Sequence, residues 1–344
     1  MTPAARAAMA EGMALWANPS SPHAEGRAAR RALEEARAAI AISYGWSGET
    51  ILTSGASEAL AIALGRSVAP DRLVSAVEHD AVLRAAGTAP MIAVGADGRV
   101  DPAALAATLA DRAPAVVAVQ WANSETGVRQ PIAAIATVVH AAGGLLLVDA
   151  AQMPAGADDD VMLQADFVAV SAHKRGGPPG IGALLVRDLA SLHPSGGQER
   201  GYRAGTENLP AALGYAAALR EPEDVAALTV LRARLDDAIA RSGGEVVASD
   251  APRHPAIGSY RLPGVAAATQ LIRLDLAGFA VSAGSACSSG SMKPSHVLAA
   301  MGWSETASRE VVRISFGRTT DVAEVDSVIA AWRTVARATR TFAA

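Results

Sequence analysis

Two apolar runs that each end in polar side chains constrain the fold of this chain more than any other feature. The run at 145–148 (LLLV) ends in Asp149, and the run at 167–170 (FVAV) ends in Ser-Ala-His-Lys at 171–174. Short, continuous apolar runs of this kind are typical of strands buried on both faces of a parallel sheet. Because ligands bind beyond the carboxyl ends of such strands, the sequence predicts an α/β active site at this edge.

A lysine and an aspartate at this edge indicate pyridoxal phosphate (PLP). Lys174 would bind the cofactor covalently, and Asp149 would keep the pyridine nitrogen protonated so that the ring can accept electrons. Gln152 would be well placed to hydrogen-bond the phenolic oxygen of the ring. The alternatives are a surface Lys174-Arg175 pair and an acid that only caps the next turn. The position of both residues at strand ends favours the cofactor.

The composition argues against several other functions. The chain of 344 residues has a net charge of −4 and no basic block, which argues against nucleic-acid binding as its main function. Cys287 is the only cysteine, so we expect neither an internal disulfide nor a multi-cysteine metal site. No apolar signal region precedes Glu11, and Gly143-Gly144 divides the uncharged stretch 132–148, so we expect neither a signal peptide nor a membrane span. A cytoplasmic enzyme is the expectation.

Alternating strand and helix patterns predict a largely parallel sheet covered by helices. After about Asn208 the pattern changes. We therefore expect a large PLP-binding domain over 12–225, and a smaller α+β domain over 226–344 together with 1–11. The elements expected in this later part are helices at 209–219, 225–241 and 322–339 and strands at 257–262, 280–282 and 311–316.

Further candidate residues carry the cofactor phosphate and its ring. A strand at 51–53 enters a glycine turn at Gly55, and a helix follows from about Ser57, so free N–H groups and the Ser57 hydroxyl are offered to a phosphate. An ordinary helix cap is the alternative. His79 follows another strand and could stack on a planar ring, although a lone histidine is more often a plain polar residue.

Arg313 and Cys287 are candidates for binding and attacking the substrate. An arginine inside the apolar strand 311–316 needs a partner, either a structural acid or a substrate α-carboxylate held by both guanidinium nitrogens. Cys287 is flanked by small polar residues, so burying it would gain little, and we expect an exposed, mobile loop. About fourteen residues at about 3.3 Å each would let its tip travel on the order of 20 Å.

Together these segments resemble the group I cysteine desulfurases, which belong to the class V aminotransferase family of fold-type I PLP enzymes and serve iron–sulfur cluster assembly and nitrogen fixation. The most specific segments are 196–208 (GGQERGYRAGTEN) and 284–290 (GSACSSG). The remaining similarity lies at 18–23, 26–27, 53–58, 78–79, 121–127, 149–152 and 173–174. The resemblance implies an α/β large domain with a mostly parallel mixed sheet and a smaller α+β C-terminal domain. It also places Thr2-Pro3 at the end of an opening strand.

The resemblance implies a role for each cofactor residue. Lys174 is expected to bind PLP and move protons, Asp149 to pair with the pyridine nitrogen, and His79 and Gln152 to hold the ring. His79 and Lys174 count among the catalytic residues. The phosphate ligands are expected to be Ala56, Ser57, Ser171, His173 and, from a neighbouring subunit, Thr206. A homodimer follows from this last contact.

The resemblance also implies the chemistry. Asn123 and Arg313 are expected to bind the carboxylate of L-cysteine, and Cys287 to take the sulfur, leaving a persulfide and alanine. Arg200 and Arg203 are expected to line the partner subunit's site, and a sulfur-acceptor protein is the expected partner. Two alternatives are another PLP enzyme of this fold, such as an aminotransferase or selenocysteine lyase, and a non-catalytic sulfur carrier or regulatory partner.

Overall fold

The computed structural model describes residues 1–284 and 294–340, which divide into two compact units. Unit 1 comprises Met1–Ile92, Val100–Trp121 and Gln130–Pro222. Unit 2 comprises Ala93–Arg99, Ala122–Arg129 and the described residues from Glu223 onward. Among all these residues, no helix is both long enough and apolar enough to cross a membrane.

A seven-stranded sheet forms the centre of unit 1 in the described chain. Its strands are β1 (Glu49–Thr53), β2 (Asp71–Ser75), β3 (Met91–Ile92), β4 (Ala115–Gln120), β5 (Leu145–Asp149), β6 (Phe167–Ser171) and β7 (Gly182–Val186). The order is β1-β7-β6-β5-β4-β2-β3, and the strands from β6 to β3 run parallel. Strand β7 is antiparallel to both β6 and β1. The predicted mostly parallel mixed sheet is therefore confirmed, and strands β4, β6 and β7 are buried throughout.

Local signals begin and end the helices of unit 1. These are α1 (Pro3–Ala14), α2 (Ala24–Tyr44), α3 (Ala56–Arg66), α4 (Asp80–Ala86), α5 (Pro102–Leu109), α6 (Ile132–Ala141), α7 (Asp159–Gln164) and α8 (Leu209–Leu219). Asp101 caps α5 by accepting the Ala103 N–H, and Pro102 occupies the first turn, where a missing N–H costs nothing.

The expectation that Thr2-Pro3 ends an opening strand is wrong. The Thr2 hydroxyl accepts the N–H of Ala5 at 3.2 Å, and Pro3 is the first helical residue of α1. A capping hydroxyl followed by proline is a helix-start signal, and here it decides the local structure. Helix α1 packs against α8, inside unit 1.

Unit 2 contains an antiparallel sheet and its own core. The strands are β8 (Glu245–Val246), β9 (Ile257–Arg261), β10 (Ser282–Ala283) and β11 (Val311–Ser315), in the order β10-β11-β9-β8. The helices are α9 (Val225–Arg241), α10 (Ala267–Leu276), α11 (His296–Ala300), α12 (Glu305–Ser308) and α13 (Val322–Arg340). Trp332 and Tyr260 meet edge to face at 6.2 Å in the core. The expected strand at 280–282 is shifted, because only Ser282 and Ala283 pair with β11.

The sheet of unit 1 brings several predicted side chains to one edge. Strands β5 and β6 end in Asp149 and Ser171, and β1 leads through Gly55 into α3. Strand β7 lies very close to this last turn. A Cβ on Gly182 would lie 2.7 Å from Gly55 Cα and 2.5 Å from the Val170 carbonyl oxygen. Only glycine fits at position 182 without displacing the start of α3.

We expect Gly182→Ala to lower the free energy of unfolding by about 1–3 kcal/mol, because the added methyl group overpacks two backbones. Urea denaturation measures the loss. Gly65→Ala, in the same helix–strand layer, is the matched control: an added Cβ there meets nothing within 4 Å. This control should gain about 0.5–1 kcal/mol from helix propensity. Equal stability of the two variants would contradict the close approach at Gly182.

Candidate active site

Asp149 is the buried charge at the centre of the predicted cofactor site. It ends β5 and is 8% exposed, and its Oδ1 accepts the N–H of Ala151 at 3.0 Å. Burial raises the pKa of this carboxyl above its usual range, whereas the Ala151 N–H and the positive charges of His79 and Lys174 oppose the rise. A cationic group placed against Asp149 would favour its ionised form.

Lys174 lies on a short 3₁₀ turn, Ala172–Arg175, that directly follows β6 and ends at Gly176 in the left-handed conformation. Its ammonium acts electrostatically on Asp149, so the structure places the strand-end lysine in the neighbourhood of the strand-end aspartate. Asp149 is buried, whereas Lys174 and His173 are exposed. The cluster therefore opens to solvent on the lysine side, where a substrate could enter.

His79 caps α4 and faces the same charge cluster. Its Nδ1 accepts the N–H of Ala81 at 3.1 Å. It also interacts electrostatically with Asp149, so the structure brings these two predicted residues into one neighbourhood.

Glu78 is a site residue to which the sequence analysis gave no role. It is fully buried, and its Oε1 accepts the Gln120 N–H at 2.8 Å, next to Asp149 in the sheet register. Burial and the charge of Asp149 raise the pKa of Glu78 well above its usual 4.5, against the hydrogen bonds from Gln120 and Ser75. An acid at the end of an apolar strand was the signal that could have identified it.

The predicted phosphate-binding residues of unit 1 lie around the start of α3. Helix α3 is capped by Gly55, at φ +153°, without a side-chain hydrogen bond to its first N–H groups. Those N–H groups, beginning at Ala56 and Ser57, carry the positive end of the helix dipole. An added Cβ on Gly55 would lie 3.9 Å from Ser171 Oγ, and Ser171 Oγ is 2.9 Å from His173 Nδ1. Burial and the charges of Lys174 and Arg175 lower the pKa of His173.

The other predicted cofactor residues are more exposed. Gln152 is half-buried on the turn three residues beyond Asp149. Thr206 is exposed and follows Gly205, whose φ of +90° suits glycine. It lies on the 196–206 segment, which also contains Arg200 and Arg203.

The 196–206 segment is attached to the rest of unit 1 by ion pairs. Arg203 Nε donates to Glu58 Oε1 at 2.9 Å, in the first turn of α3, and Arg200 pairs with Glu49. Both arginines, expected to line a partner's site, thus bind acids of their own chain.

A buried ion pair between Arg37 and Glu199 was not predicted. The Glu199 carboxylate accepts from both terminal nitrogens of Arg37 and, at 2.8 Å, from the Leu52 N–H. Arg37 also donates to the Thr50 carbonyl at 2.8 Å. The pair holds Glu199 and Arg200 at positive φ, a conformation that non-glycine residues rarely adopt. No local sequence signal could have found it, because its members are 162 residues apart.

The two predicted substrate residues, Asn123 and Arg313, come together inside unit 2. Asn123 Oδ1 accepts the N–H groups of Glu125 at 2.9 Å and Thr126 at 2.8 Å, and so closes a turn over residues 123–127. Arg313 Nη1 donates to the Ser124 carbonyl of this 123–127 turn at 2.9 Å.

Cys287 lies outside the described residues, in the interval 285–293. The described chain reaches Gly284 on one side and Pro294 on the other. Among the described residues, no group of three or more acids, histidines or cysteines is arranged to hold a metal ion.

A lysine and an acid at adjacent strand ends of a mostly parallel mixed sheet define a class of PLP enzymes. The family model of class-V aminotransferases matches residues 4–328, and the chain belongs to this family.

Curated relatives to which the chain is similar are cysteine desulfurases. That of Cereibacter sphaeroides is 38% identical over 339 residues, covering 91% of this chain and 87% of its own. The IscS-like cysteine desulfurase of Mycobacterium tuberculosis is 35% identical over 366 residues, covering 96% of this chain and 92% of its own. The crystal structure of a NifS-like protein from Rickettsia africae superposes with a TM-score of 0.86 at 28% identity, covering 97% of this chain and 96% of that one.

We expect Glu78→Gln to gain stability relative to the unaltered chain as the pH rises above about 4.5. An acid whose pKa is raised on folding holds its proton in the folded state, so its contribution to stability is lost as the pH rises through that pKa. The glutamine cannot ionise and escapes this loss. Urea denaturation of the cofactor-free protein at about pH 5 and about pH 8 measures the difference.

The control for this experiment is Asp71→Asn. Hydrogen bonds from the Arg72 N–H and from Arg112 lower the pKa of Asp71. Its ionised form therefore contributes stability that is lost as the pH falls. Asp71→Asn should cost most at the higher pH, which is opposite in sign to Glu78→Gln. A pH-independent difference for Glu78→Gln would contradict a raised pKa.

Proposed function

We propose that Cys287 is the sulfur acceptor of this PLP-dependent cysteine desulfurase. In the overall reaction L-cysteine and the enzyme thiol give L-alanine and an enzyme persulfide, so sulfur, carbon and hydrogen balance without a further reactant. The observation that carries the proposal is the placement of Lys174 directly after β6, beside β5, which ends in buried Asp149. The sequence adds the lone cysteine in the 284–290 segment.

The residues of unit 1 fit PLP. Asp149 is a buried carboxylate suited to a protonated ring nitrogen, and the uncapped start of α3, with Ser171 and His173, suits a phosphate. His79 and Gln152 are proposed to hold the face and the hydroxyl of the ring. When bound, PLP withdraws electrons from the substrate Cα, the carbon that bears the amino group of the substrate.

The chain's own residues handle the protons and the sulfur. Lys174 is proposed to hold the cofactor and then to move a proton at the substrate Cα, while Asp149 pairs with the ring nitrogen. The Cys287 thiolate attacks the substrate sulfur, the carbon–sulfur bond breaks, and the sulfur leaves as part of the persulfide. The former Cβ is protonated, and alanine is released.

Arg313 and Asn123 are proposed to bind the substrate carboxylate. The Ser124 carbonyl holds one terminal nitrogen of Arg313, and Ser282 Oγ accepts from the other at 3.1 Å. The carboxamide of Asn123 is fixed with its oxygen toward the 123–127 turn, and its NH₂ group is the proposed donor to the carboxylate.

We also propose a homodimer in which Thr206 reaches the phosphate held by the neighbouring subunit. The support is the exposure of 204–206 on a segment that ion pairs hold in place. On the same unit, Met13, Leu15 and Trp16 expose large apolar side chains, with Trp16 at 53%. Exposed apolar clusters of this kind mark protein contacts.

The product requires a second partner. A persulfide on Cys287 must pass its outer sulfur to another nucleophile before the enzyme can turn over again. We propose a thiol-bearing acceptor protein, with iron–sulfur cluster assembly as its pathway.

We expect Cys287→Ala to lose alanine and sulfide formation while it still binds PLP through Lys174. Borohydride should fix the cofactor to Lys174 in this variant, because the thiol takes no part in cofactor binding. Lys174→Ala should fail on both counts, and Ser288→Ala should be active. Alanine is measured by chromatography and the fixed cofactor by mass spectrometry. Alanine formation by Cys287→Ala at the unaltered rate would overturn the proposal.

We expect Arg313→Lys to raise KM for L-cysteine about 10- to 100-fold with a smaller change in kcat. The lysine cannot make two parallel hydrogen bonds to the carboxylate, and each hydrogen bond to a charged group contributes about 1.5–3 kcal/mol. Steady-state kinetics measures both constants. Arg309→Lys, at a surface pair with Glu305, is the control and should leave KM unchanged. An unchanged KM in Arg313→Lys would remove Arg313 from the binding site.

A further inference from the structure

The 123–127 turn in unit 2 is held in place by a hydrogen bond within the turn and by contacts with strand β9. The Gly127 N–H donates to the Asn123 carbonyl at 2.9 Å, and Gly127 has φ +77°. A Cβ there would lie 2.6 Å from the Ile257 carbonyl oxygen. Two residues further along the same strand, β9, Ser259 Oγ donates to the Glu125 carbonyl at 2.8 Å. The turn is therefore a fixed point within its unit.

One end of the chain interval that contains Cys287 is connected to this turn through Arg313. Ser282 pairs with Arg313 between strands β10 and β11, and its Oγ accepts from Arg313 Nη2 at 3.1 Å. Arg313 Nη1 in turn donates to the Ser124 carbonyl at 2.9 Å. The last described residues before the interval thus reach the 123–127 turn through one guanidinium.

The other end of the interval contacts the same turn directly. Ser295 Oγ donates to Glu125 Oε2 at 2.5 Å, and both side chains are buried, at 3% and 8% exposure. The Ser295 hydroxyl also accepts the Leu298 N–H at 3.1 Å and so caps helix α11. A hydrogen bond to a buried carboxylate is among the stronger and better-defined contacts in proteins. It fixes where the chain re-enters the described structure.

We propose that Glu125 and Ser295 are positioning residues for sulfur transfer, acting by fixing one end of the chain interval that contains Cys287 to the 123–127 turn. The inference rests on the proposed function. The same turn contains Asn123 and binds Arg313, the two residues proposed to bind the substrate carboxylate. These two residues and one end of the interval that contains Cys287 are therefore attached to the same turn. A misplacement of about 1 Å between reacting groups can cost about 10²-fold in rate.

The test uses the full-length enzyme loaded with PLP. Mass spectrometry follows the gain of one sulfur atom by the chain in a single turnover, which reports on Cys287 because the chain has one cysteine. We expect Ser295→Ala and Glu125→Ala to gain sulfur about 10- to 100-fold more slowly than the unaltered enzyme. The L-cysteine concentration that half-saturates the change in cofactor absorbance should stay within about twofold, since carboxylate binding is untouched. Ser295→Thr keeps the hydroxyl and should restore the rate.

Two controls separate positioning from simple loss of structure. Ser304→Ala removes a comparable cap, the acceptor of the Ala307 N–H at 3.2 Å in helix α12, without touching the turn, and should keep the full rate. The double variant Glu125→Ala/Ser295→Ala should be no slower than either single variant, because both remove one hydrogen bond.

Several results would overturn the inference: full rates in both single variants, a slow Ser304→Ala, or losses that multiply in the double variant. If Glu125→Ala does not fold, the contrast between Ser295→Ala and Ser295→Thr decides. The absence of any sulfur gain in the unaltered enzyme would instead overturn the proposed function, and with it this inference.

Discussion

A carboxylate buried at the end of a parallel strand is the constraint on which this site depends. Removing the Asp149 charge from water disfavours it, and the structure opposes that cost with the Ala151 N–H and with two positive charges, His79 and Lys174. Those charges come from different strand ends, because β2, β5 and β6 run in the same direction and deliver their carboxyl ends to one edge. The fold therefore concentrates charged groups of both signs at this edge of the sheet.

The antiparallel strand β7 supplies the second requirement of the site. It lies between β6 and β1 in the sheet, and so the start of α3, which follows β1, is placed beside Ser171. A sheet that was parallel throughout would need a helical crossover at this point. The tight approach of Gly182 to Gly55 is thus the steric condition for bringing the proposed phosphate-binding groups next to the lysine turn.

Many strands and helix starts could be predicted from the sequence, because strand ends and helix caps are determined by residues close together in the chain. The runs that end in Asp149 and Lys174 identified both the strands and the edge where they meet. Glu78 was given no role because its importance comes from the burial of its side chain. That burial depends on the pairing of β2 with β4, which the local sequence does not show. Arg37–Glu199 and Glu125–Ser295 were missed because their members are 162 and 170 residues apart. The start of α1 was misjudged because a resemblance was carried over where the Thr2 cap and Pro3 decide.

The Arg37–Glu199 pair has a consequence for how the molecule behaves in a crowded solution. Strand β1 is an edge of the seven-stranded sheet, and its outward Leu52 N–H and Thr50 C=O would otherwise invite another strand. The carboxylate accepts from the first group and the guanidinium donates to the second, so two side chains take the place of a neighbouring backbone. Because these two backbone groups of β1 are already hydrogen-bonded, the edge strand is less able to pair with a strand of another molecule and to aggregate.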